Sequence, residues 1–415
     1  MDSLLDLELE CSGALLIEGP KWCGKTTTAE QKAKSILYMD DPSTIDQNLQ
    51  LATINPKLLL NGEKPRLIDE WQIAPQLWDT IRFMVDHHKG DGQYILTESA
   101  VPADQSKIRH SGAGRFSWLT MRTMSLWESG ESSGEVSLKD LLDNKAIEGT
   151  NRLGIEDIAH LICRGGWPGA IGKKPDLSYR ISQNYFKAVI NSDISRVDGV
   201  NRSADRAKRI MRSLARFQGS QTPITAIRKD IISNETDAMD EGTIYSYIEA
   251  LKKIFVIEDA RAWNPNLRSK TAIRTSDTRY FVDPSIATSA LGATAKDLIN
   301  DLETMGLFFE TLCIRDLRVY SQAMGGEVFH YRDSNGLECD AVIHLPNGNY
   351  GLVEIKLGGD KLIQEGIKTL TMMEKIIDTT RMKSPAFKMI LTAVGDYAYR
   401  RADGIYIVPI GTLKD

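Results

Sequence analysis

Residues 13–27 read GALLIEGPKWCGKTT, and this stretch decides the fold of the first part of the chain. The apolar run GALLIE ends at Gly19-Pro20, which predicts a buried strand followed by a turn. The next residues satisfy the pattern GxxxxGK[ST] at every position and lead into a stretch without helix breakers, so we expect a helix over residues 25–38. A strand, a glycine-rich loop and a helix in this order predict a phosphate-binding loop in a parallel α/β sheet.

The loop carries the residue types that bind a nucleoside triphosphate. Glycines let the backbone curl so that successive N–H groups point at phosphate oxygens, and the following helix offers its positive N-terminus. We expect Lys25 to contact the β- and γ-phosphates of ATP and Thr26 to ligate Mg²⁺. An ordinary glycine turn with a surface lysine is the alternative interpretation. The predicted cofactor-binding residues are Gly19, Pro20, Lys21, Trp22, Cys23, Gly24, Lys25, Thr26 and Thr27.

Two further predicted strands end in polar residues that fit the same chemistry. In the segment LIDE, residues 67–70, an apolar strand delivers Asp69 toward the magnesium ion, and Glu70 can polarise the attacking water. The strand predicted over residues 92–97 ends at Thr97, a candidate contact for the γ-phosphate and the water. Ordinary strand ends would show the same residue types. A helix predicted over residues 75–88 separates the two strands, and this alternation is typical of a parallel sheet.

A second group of acidic residues lies in the C-terminal part. Asp340 is followed fourteen residues later by Glu354-Ile355-Lys356, and both segments alternate polar with apolar residues, as strands do. An aspartate on one strand and Glu-x-Lys on the next form the D…(D/E)xK arrangement of metal-dependent nucleases. Asp340, Glu354 and Glu310, from the preceding helix, are the candidate metal ligands. Lys356 can activate the water or stabilise the phosphorane. A solvated hairpin with ordinary charges is the alternative.

Arginines are candidates for two kinds of contact. Arg115 ends a loop at residues 110–115 and either reaches the nucleotide of a neighbouring subunit in a homo-oligomer or is an ordinary surface arginine. In the middle of the chain, a predicted helix with arginines on one face, followed by two helices and a strand, resembles a winged helix-turn-helix. Its arginines contact the DNA backbone or form a solvated helix face. The candidate DNA contacts are Arg202, Arg206, Arg209, Arg212 and Arg216.

Length and composition bound the class of protein. A chain of 415 residues predicts two to four domains, and 42% hydrophobic with 26% charged residues is ordinary for a globular protein, which excludes collagen and disordered chains. Because the net charge of the chain is −5, any surface that binds nucleic acid must be a local basic patch. Five cysteines without a CxxC pair, no basic leader and no apolar run of ~18 residues favour a cytoplasmic protein. Residues 126–150 are rich in Ser, Gly and Glu and predict a surface loop or a boundary.

The chain resembles the bacterial AAA-like P-loop ATPases that are fused to a C-terminal domain of unknown function of the restriction-endonuclease-like, PD-(D/E)XK, type. The resemblance rests on GPKWCGKTT, RLIDEWQ, ILTESA, HSGAGRFSWLTMRTMSLWESGE and RGGWPGA, and in the C-terminal part on FFETLCIRDLRVY, YRDSNGLECDAVI and GLVEIKLG. It covers nearly the whole chain. The family usually has Leu-Thr-Gly-Ser where this chain has Glu98 in place of the glycine.

The expected fold class is α/β. We expect an AAA-like P-loop domain over residues 1–175, a helical and winged-helix region over 176–275, and a small α/β nuclease-like domain over 276–415. Three functions stay open: ATP hydrolysis coupled to binding or Mg²⁺-dependent cleavage of DNA, a nucleotide-switched scaffold with an inactive nuclease-like domain, and an ATPase that acts on a protein partner.

Overall fold

The computed structural model describes residues 1–88, 90–235, 239–264 and 276–415, and in them the chain forms an α/β protein. The first part contains α1 (Asp2–Cys11), β1 (Ala14–Glu18), α2 (Lys25–Glu30), β2 (Ser35–Tyr38), α3 (Ile45–Ile54), β3 (Arg66–Asp69), α4 (Leu77–His87), β4 (Tyr94–Glu98) and β5 (Phe116–Thr120). The middle contains β6 (Val136–Ser137), α5 (Leu138–Leu142), β7 (Gly149–Thr150), α6 (Ile155–Arg164), α7 (Pro175–Ala188), α8 (Ile194–Arg196), α9 (Ala204–Arg216), α10 (Ile224–Glu235), α11 (Glu241–Lys253), β8 (Ile257–Ala260) and β9 (Thr278–Phe281). The last part contains α12 (Pro284–Leu291), α13 (Ala295–Asn300), α14 (Leu302–Gln322), β10 (Glu327–Arg332), β11 (Glu338–His344), β12 (Tyr350–Lys356), α15 (Asp360–Ile376), β13 (Phe387–Thr392), β14 (Tyr397–Arg400), β15 (Tyr406–Pro409) and β16 (Leu413–Lys414).

The first part is built on a five-stranded sheet in which all strands run parallel, in the order β2-β3-β4-β1-β5. Apolar residues cover both faces of the sheet, with Trp71 and Trp78 in the cluster on one face and Cys23 and Ala29 in the cluster on the other. In a parallel sheet the carboxyl ends of all strands lie at one edge. The loops after β1, β3 and β4 therefore meet there, as the three motifs predict.

The helix after the glycine-rich loop is shorter than the sequence predicts. The expectation of a helix over residues 25–38 is wrong in its second half, because α2 ends at Glu30 and Ser35–Tyr38 is strand β2. Apolar and aromatic residues there are compatible with extended backbone, and β2 pairs with β3 along its whole length. Pairing with a neighbouring strand outweighs the weak helical preference of a short segment.

The described chain folds into two compact units. The first comprises Met1–Arg122, Val189–Ala204 and Ser246–Val256; the second comprises Thr123–Ala188, Asp205–Tyr245 and Ile257–Asp415. These units do not follow the three consecutive ranges expected from the sequence, because two stretches from the middle of the chain belong to the unit of the parallel sheet. The first unit is thus assembled from three separate pieces of sequence.

The second unit contains a seven-stranded mixed sheet in the order β10-β11-β12-β13-β15-β14-β7. The pairs β10–β11 and β11–β12 are antiparallel, whereas β12, β13 and β15 run parallel. Residues 126–150, expected as a loop or boundary, are mostly without regular structure, but they also supply the short elements β6, α5 and β7, and β7 pairs with β14. In the middle part, α9, α10 and α11 precede the antiparallel pair β8–β9, which matches the helical region expected there.

A fully buried ionic network anchors the second unit. Asp283 Oδ2 accepts hydrogen bonds from Thr123 Oγ1 at 2.7 Å and from the Gly166 N–H at 2.8 Å, and the Arg315 guanidinium lies 3.2 Å away. Arg315 also pairs with Asp316 at 2.7 Å. Three of the quoted motifs, MRTMSLW, RGGWPGA and CIRDL, supply these residues, so they act as structural contacts. Within the described ranges, no helix combines the length and the hydropathy needed to cross a bilayer.

Candidate functional site

The phosphate loop lies between β1 and α2 and is shaped by glycines. Gly19 and Gly24 have φ values of 151° and 104°, which side chains disfavour. A Cβ atom on Gly19 would lie 2.0 Å from the Met121 carbonyl oxygen, so only glycine fits there. Lys25 Nζ donates to the carbonyl oxygens of Gly19 at 3.0 Å and Pro20 at 2.8 Å. The Lys25 ammonium therefore lies over the mouth of its own loop.

Asp69, at the end of β3, connects the three predicted motifs. Its Oδ1 accepts hydrogen bonds from Thr26 Oγ1 at 2.8 Å and from Thr97 Oγ1 at 2.6 Å. This arrangement arises because β4, which carries Thr97, lies between β1 and β3 in the sheet. Burial raises the pKa of Asp69, while the two hydroxyl hydrogen bonds oppose the rise. A carboxylate and a hydroxyl side by side are oxygen ligands of the kind that Mg²⁺ prefers, so Thr26 and Asp69 fit this ion.

Glu70 is held beside Asp69 by residues that the sequence analysis did not single out. Its backbone is left-handed, with φ 53°, and its N–H donates to Thr97 Oγ1 at 3.1 Å. Its carboxylate oxygen Oε2 accepts a hydrogen bond from Ser99 Oγ at 2.7 Å and another from Gln72 Nε2. Ser99 belongs to the quoted motif ILTESA, two residues after Thr97, and this spacing was the available signal. Nothing in the sequence pointed to Gln72 apart from its place in the motif RLIDEWQ.

Glu98 projects to the opposite face of β4 from Thr97, because side chains alternate along a strand. It is 4% exposed, and among the described residues its Oε2 has no hydrogen-bond partner. In the sheet it lies directly beside Glu18 of β1. Burial, and then the charge of Glu18, raise the pKa of Glu98 to about 8. This carboxyl is therefore mostly protonated at neutral pH and adds little negative charge to the nucleotide edge.

The other predicted loop residues have different surroundings. Lys21 forms an ion pair with Asp193 at 2.7 Å. Trp22 is 56% exposed, and Thr27 is exposed on α2. The Cys23 thiol is buried, and this burial raises its pKa. The cysteine therefore serves packing beneath the loop.

Arg115 lies away from the phosphate loop of its own chain. It immediately precedes β5, at the amino edge of the parallel sheet, whereas the phosphate loop follows β1 at the carboxyl edge. Its Nε forms an ion pair with Asp86 at 2.7 Å, and its side chain is 43% exposed. Any contact of Arg115 with a nucleotide thus requires a second subunit.

In the second unit, the structure brings Asp340, Glu354 and Lys356 together on adjacent strands. Lys356 Nζ lies 3.2 Å from Asp340 Oδ2 and 2.8 Å from Glu354 Oε2. The Ile355 N–H also donates to Asp340 Oδ2, at 2.7 Å. These side chains line an open cleft of about 700 Å³, whose wall is completed by α15 residues such as Met372. The ammonium group occupies the position between the two carboxylates.

Glu310 approaches Asp340 from α14 but is engaged elsewhere. It accepts a hydrogen bond from the Tyr280 hydroxyl at 2.6 Å and lines, with Asp340, a cavity of about 30 Å³. Burial, and then the charge of Asp340, raise the pKa of Glu310 and also that of Glu354 to about 8. In the part of the chain that the structure describes, no three His, Cys, Asp or Glu side chains are placed to hold a metal ion. The three predicted ligands therefore do not form a preassembled metal centre.

The predicted arginine patch is only partly a surface. Arg202 is a correction, because its side chain is 4% exposed and pairs with Asp198 at 2.6 Å, so it contributes to packing. Arg216 is half-buried and pairs with Asp230 at 2.7 Å. Arg206 is exposed, and Arg209 and Arg212 are half-buried. Four arginines of the second unit therefore stay candidates for contact with a partner.

Three family models match consecutive parts of the chain. Residues 12–129 match the family described as AAA domain, residues 155–297 match Domain of unknown function (DUF8612), and residues 305–413 match Domain of unknown function (DUF4143). The N-terminal part is thus AAA-like. A search among curated proteins found no match.

Solved structures similar to the chain have low sequence identity. A Walker-type ATPase of Pyrococcus abyssi is 14% identical, with a TM-score of 0.43, over 70% of this chain and 94% of that one. The Orc1 protein of Aeropyrum pernix in complex with DNA is 10% identical, with a TM-score of 0.27, over 72% and 93%. A Signal Transduction ATPase with Numerous Domains protein with a tetratricopeptide repeat sensor from Pyrococcus horikoshii is 11% identical, with a TM-score of 0.19, over 78% and 48%. With TM-scores below 0.5, these similarities carry no functional conclusion.

Proposed function

We propose that the chain binds ATP with Mg²⁺ at the phosphate loop and hydrolyses it. The observation that carries the proposal is the convergence of two hydroxyls, those of Thr26 and Thr97, on one oxygen of Asp69 beside Lys25. An ordinary glycine turn does not require that three polar groups from distant parts of the sequence meet at the carboxyl edge of a parallel sheet. The match of residues 12–129 to the AAA domain family supports the same function.

Each residue has a distinct role in this proposal. Lys25 exchanges its two carbonyl partners for phosphate oxygens, with which an ammonium forms stronger, charge-assisted hydrogen bonds. Thr26 and Asp69 would hold Mg²⁺, which when bound neutralises charge on the β- and γ-phosphates. Glu70 accepts a hydrogen bond from the attacking water, and its contacts with Ser99 and Gln72 keep its carboxylate aimed. Thr97 donates a hydrogen bond to Asp69 and accepts one from the Glu70 N–H, and in this way it holds both acidic residues in place.

The variant Glu70→Gln tests the proposal. An amide cannot take the proton of the water, so turnover should fall by about 10²–10⁴-fold while the affinity for ATP is kept. ATP turnover and equilibrium binding are measured on the same preparations. Glu10→Gln, the same chemical change at an exposed position of α1, is the matched control. Wild-type turnover in Glu70→Gln would show that another group activates the water.

A second candidate function is metal-dependent cleavage of nucleic acid at Asp340, Glu354 and Lys356. It is favoured by one observation: these three side chains converge on the wall of an open cleft of about 700 Å³. Two carboxylates that hold a divalent ion, with a lysine beside them, can activate water against a phosphodiester. Contact with DNA would come from the arginines of α9, namely Arg206, Arg209, Arg212 and Arg216. The competing hypothesis is an inactive nuclease-like domain in a nucleotide-switched scaffold or a protein-partner ATPase.

Cleavage of labelled DNA with Mg²⁺ or Mn²⁺ separates these hypotheses. If the site cleaves, Asp340→Asn should abolish product, because the carboxylate that would ligate the metal is lost. Asp176→Asn, at an exposed position of α7, is the control. ATP turnover without any cleavage by the wild type would favour the scaffold. The proposed homo-oligomer is tested by mixing Arg115→Ala with Lys25→Ala; turnover that stays absent in the mixture argues against a shared site.

A further inference from the structure

The phosphate loop is tied to a helical stretch that lies far away in the sequence. Lys21, the third residue of the loop, forms a 2.7 Å ion pair with Asp193, although 172 positions separate them. Both residues belong to the first compact unit. The Asp193 side chain is only 11% exposed, whereas that of Lys21 is 43% exposed. The aspartate is therefore the fixed partner, and the lysine is the one that can move.

Asp193 is fixed because of the local structure around it. It is the last residue of a π-helical turn, Val189–Asp193, and π-helical turns occur often at functional sites. Val189 is 1% exposed and Ile194 is fully buried on either side of it. These apolar anchors hold the turn, so the carboxylate stays aimed at the loop.

The same stretch reaches a second part of the nucleotide edge. Asp198 pairs with Arg202 at 2.6 Å and lies 3.8 Å from Lys253, at the end of α11. The Lys253 carbonyl oxygen in turn accepts a hydrogen bond of 2.9 Å from the Val101 N–H. Val101 follows the motif that contains Thr97. Residues 189–204 thus contact the phosphate loop, and residues 246–256 contact the segment after β4.

We propose that Asp193 is a positioning residue through which the helical stretch 189–204 senses whether the phosphate loop holds a nucleotide. The inference rests on the proposed function, namely that this loop binds ATP. Phosphates bring several negative charges to the loop, and these compete with Asp193 for the ammonium of Lys21. Nucleotide binding therefore loosens or rearranges the ion pair, and the stretch 189–204 responds.

Amide hydrogen exchange with and without a magnesium complex of ADP or of ATPγS tests this inference. In the wild type, nucleotide should slow exchange in the loop 19–26 and change exchange within 189–204. In Asp193→Asn the protection of the loop should persist and the response of 189–204 should disappear. The nucleotide affinity should shift by only about three- to tenfold, as expected for a partly exposed ion pair. Asp46→Asn, at an exposed position of α3, is the matched control.

The conservative variant Asp193→Glu keeps a carboxylate for Lys21 and should retain part of the response, which a purely structural role of Asp193 would not predict. A wild-type protein whose loop is protected while 189–204 stays unchanged would overturn the inference and leave ATP binding intact. A response that survives in Asp193→Asn would also overturn it. If nucleotide protects neither region, the proposed function fails and this inference fails with it.

Discussion

Lys25 and Lys356 both lie beside acidic residues at strand ends, yet the two surroundings differ. Among the residues that the structure describes, Lys25 Nζ donates hydrogen bonds to two carbonyl oxygens of its own loop, while Asp69 accepts hydrogen bonds from hydroxyls. Lys356 instead lies directly between Asp340 and Glu354 and contacts both. In the first site the positive and negative groups are kept apart. In the second they neutralise each other.

This difference determines what each site can receive. A lysine whose partners are neutral carbonyls exchanges them readily for phosphate, and a carboxylate held by hydroxyls keeps its charge for a cation. A lysine already paired with two carboxylates must be displaced before a divalent ion can bind between them. In the first site the ammonium is therefore bonded to neutral groups, whereas in the second it lies between two carboxyl groups. Sequence spacing shows which residues meet, but it does not show which of them already satisfy one another.

The largest expected effect is that of Lys25→Ala. Loss of the ammonium removes charge-assisted contacts with the phosphates and should weaken ATP binding by about 100-fold or more. Thermal stability should hardly change, because the lysine gives up only two hydrogen bonds to carbonyl oxygens. Calorimetric titration and thermal melting measure the two quantities. Lys34→Ala, at an exposed position, is the control; unchanged ATP affinity in Lys25→Ala would remove the phosphate-loop hypothesis.

For Lys356→Ala we expect the reverse of Lys25→Ala, namely a loss of stability without a loss of ATP affinity. Two carboxylates lose their shared counter-ion, so the second unit should be destabilised by about 1–3 kcal/mol, with no change in nucleotide affinity. Adding Glu354→Gln should recover part of the stability at alkaline pH, because a carboxyl that ionises there beside Asp340 is replaced by a neutral amide. Lys368→Ala, at an exposed position of α15, is the control. Melting curves of the three variants check this.

The binding of Mn²⁺ tests whether the Lys356 ammonium occupies the position of a metal ion. In Lys356→Ala the space between the carboxylates is open to a cation, so Mn²⁺ should raise the melting temperature more than it does for the wild type. An equal Mn²⁺ effect in both proteins would mean that the ion binds elsewhere. It would also mean that the ammonium does not occupy the position of a metal.

The remaining comparison concerns pH and Glu98. Burial raises its pKa from the ordinary 4.5 to about 8, with Glu18 and Glu70 adding to the rise and Lys25 opposing it. Between these two values the folded chain keeps a proton that the unfolded chain releases, so the group lowers stability as pH rises. Glu98→Gln should therefore melt like the wild type near pH 5 and several degrees higher near pH 8.5. Identical curves at both pH values would show that Glu98 ionises without penalty.

The sequence predicted what depends on short segments. The loop around Lys25, the strand ends at Asp69 and Thr97, and the pairing of Asp340 with Glu354 follow from local patterns whose spacing also fixes their geometry. The structure departs from the prediction where a distant partner decides the outcome. Strand β2 exists because β3 lies beside it, and Arg202 is buried because Asp198 and its neighbours enclose it.

Long-range contacts also explain the role of several motifs for which the sequence showed only a resemblance to a family. Thr123, Gly166 and Arg315 lie in three different motifs and meet at Asp283. No local rule connects residues so far apart. The contact between Lys21 and Asp193 could not be predicted from the sequence for the same reason, since a lysine inside a phosphate loop gives no indication of its partner.

The three-piece construction of the first unit has a consequence for its synthesis. Its sheet is complete once residue 120 has left the ribosome, but the pieces Val189–Ala204 and Ser246–Val256 emerge much later. Until then the loop lacks Asp193, and the first unit lacks two of its three pieces of sequence. Because domains generally fold as units during synthesis, the nucleotide unit must wait for material that is interleaved with another folding unit. A fragment cut after residue 122 would therefore contain the whole parallel sheet but neither the partner of Lys21 nor the other two pieces of the first unit.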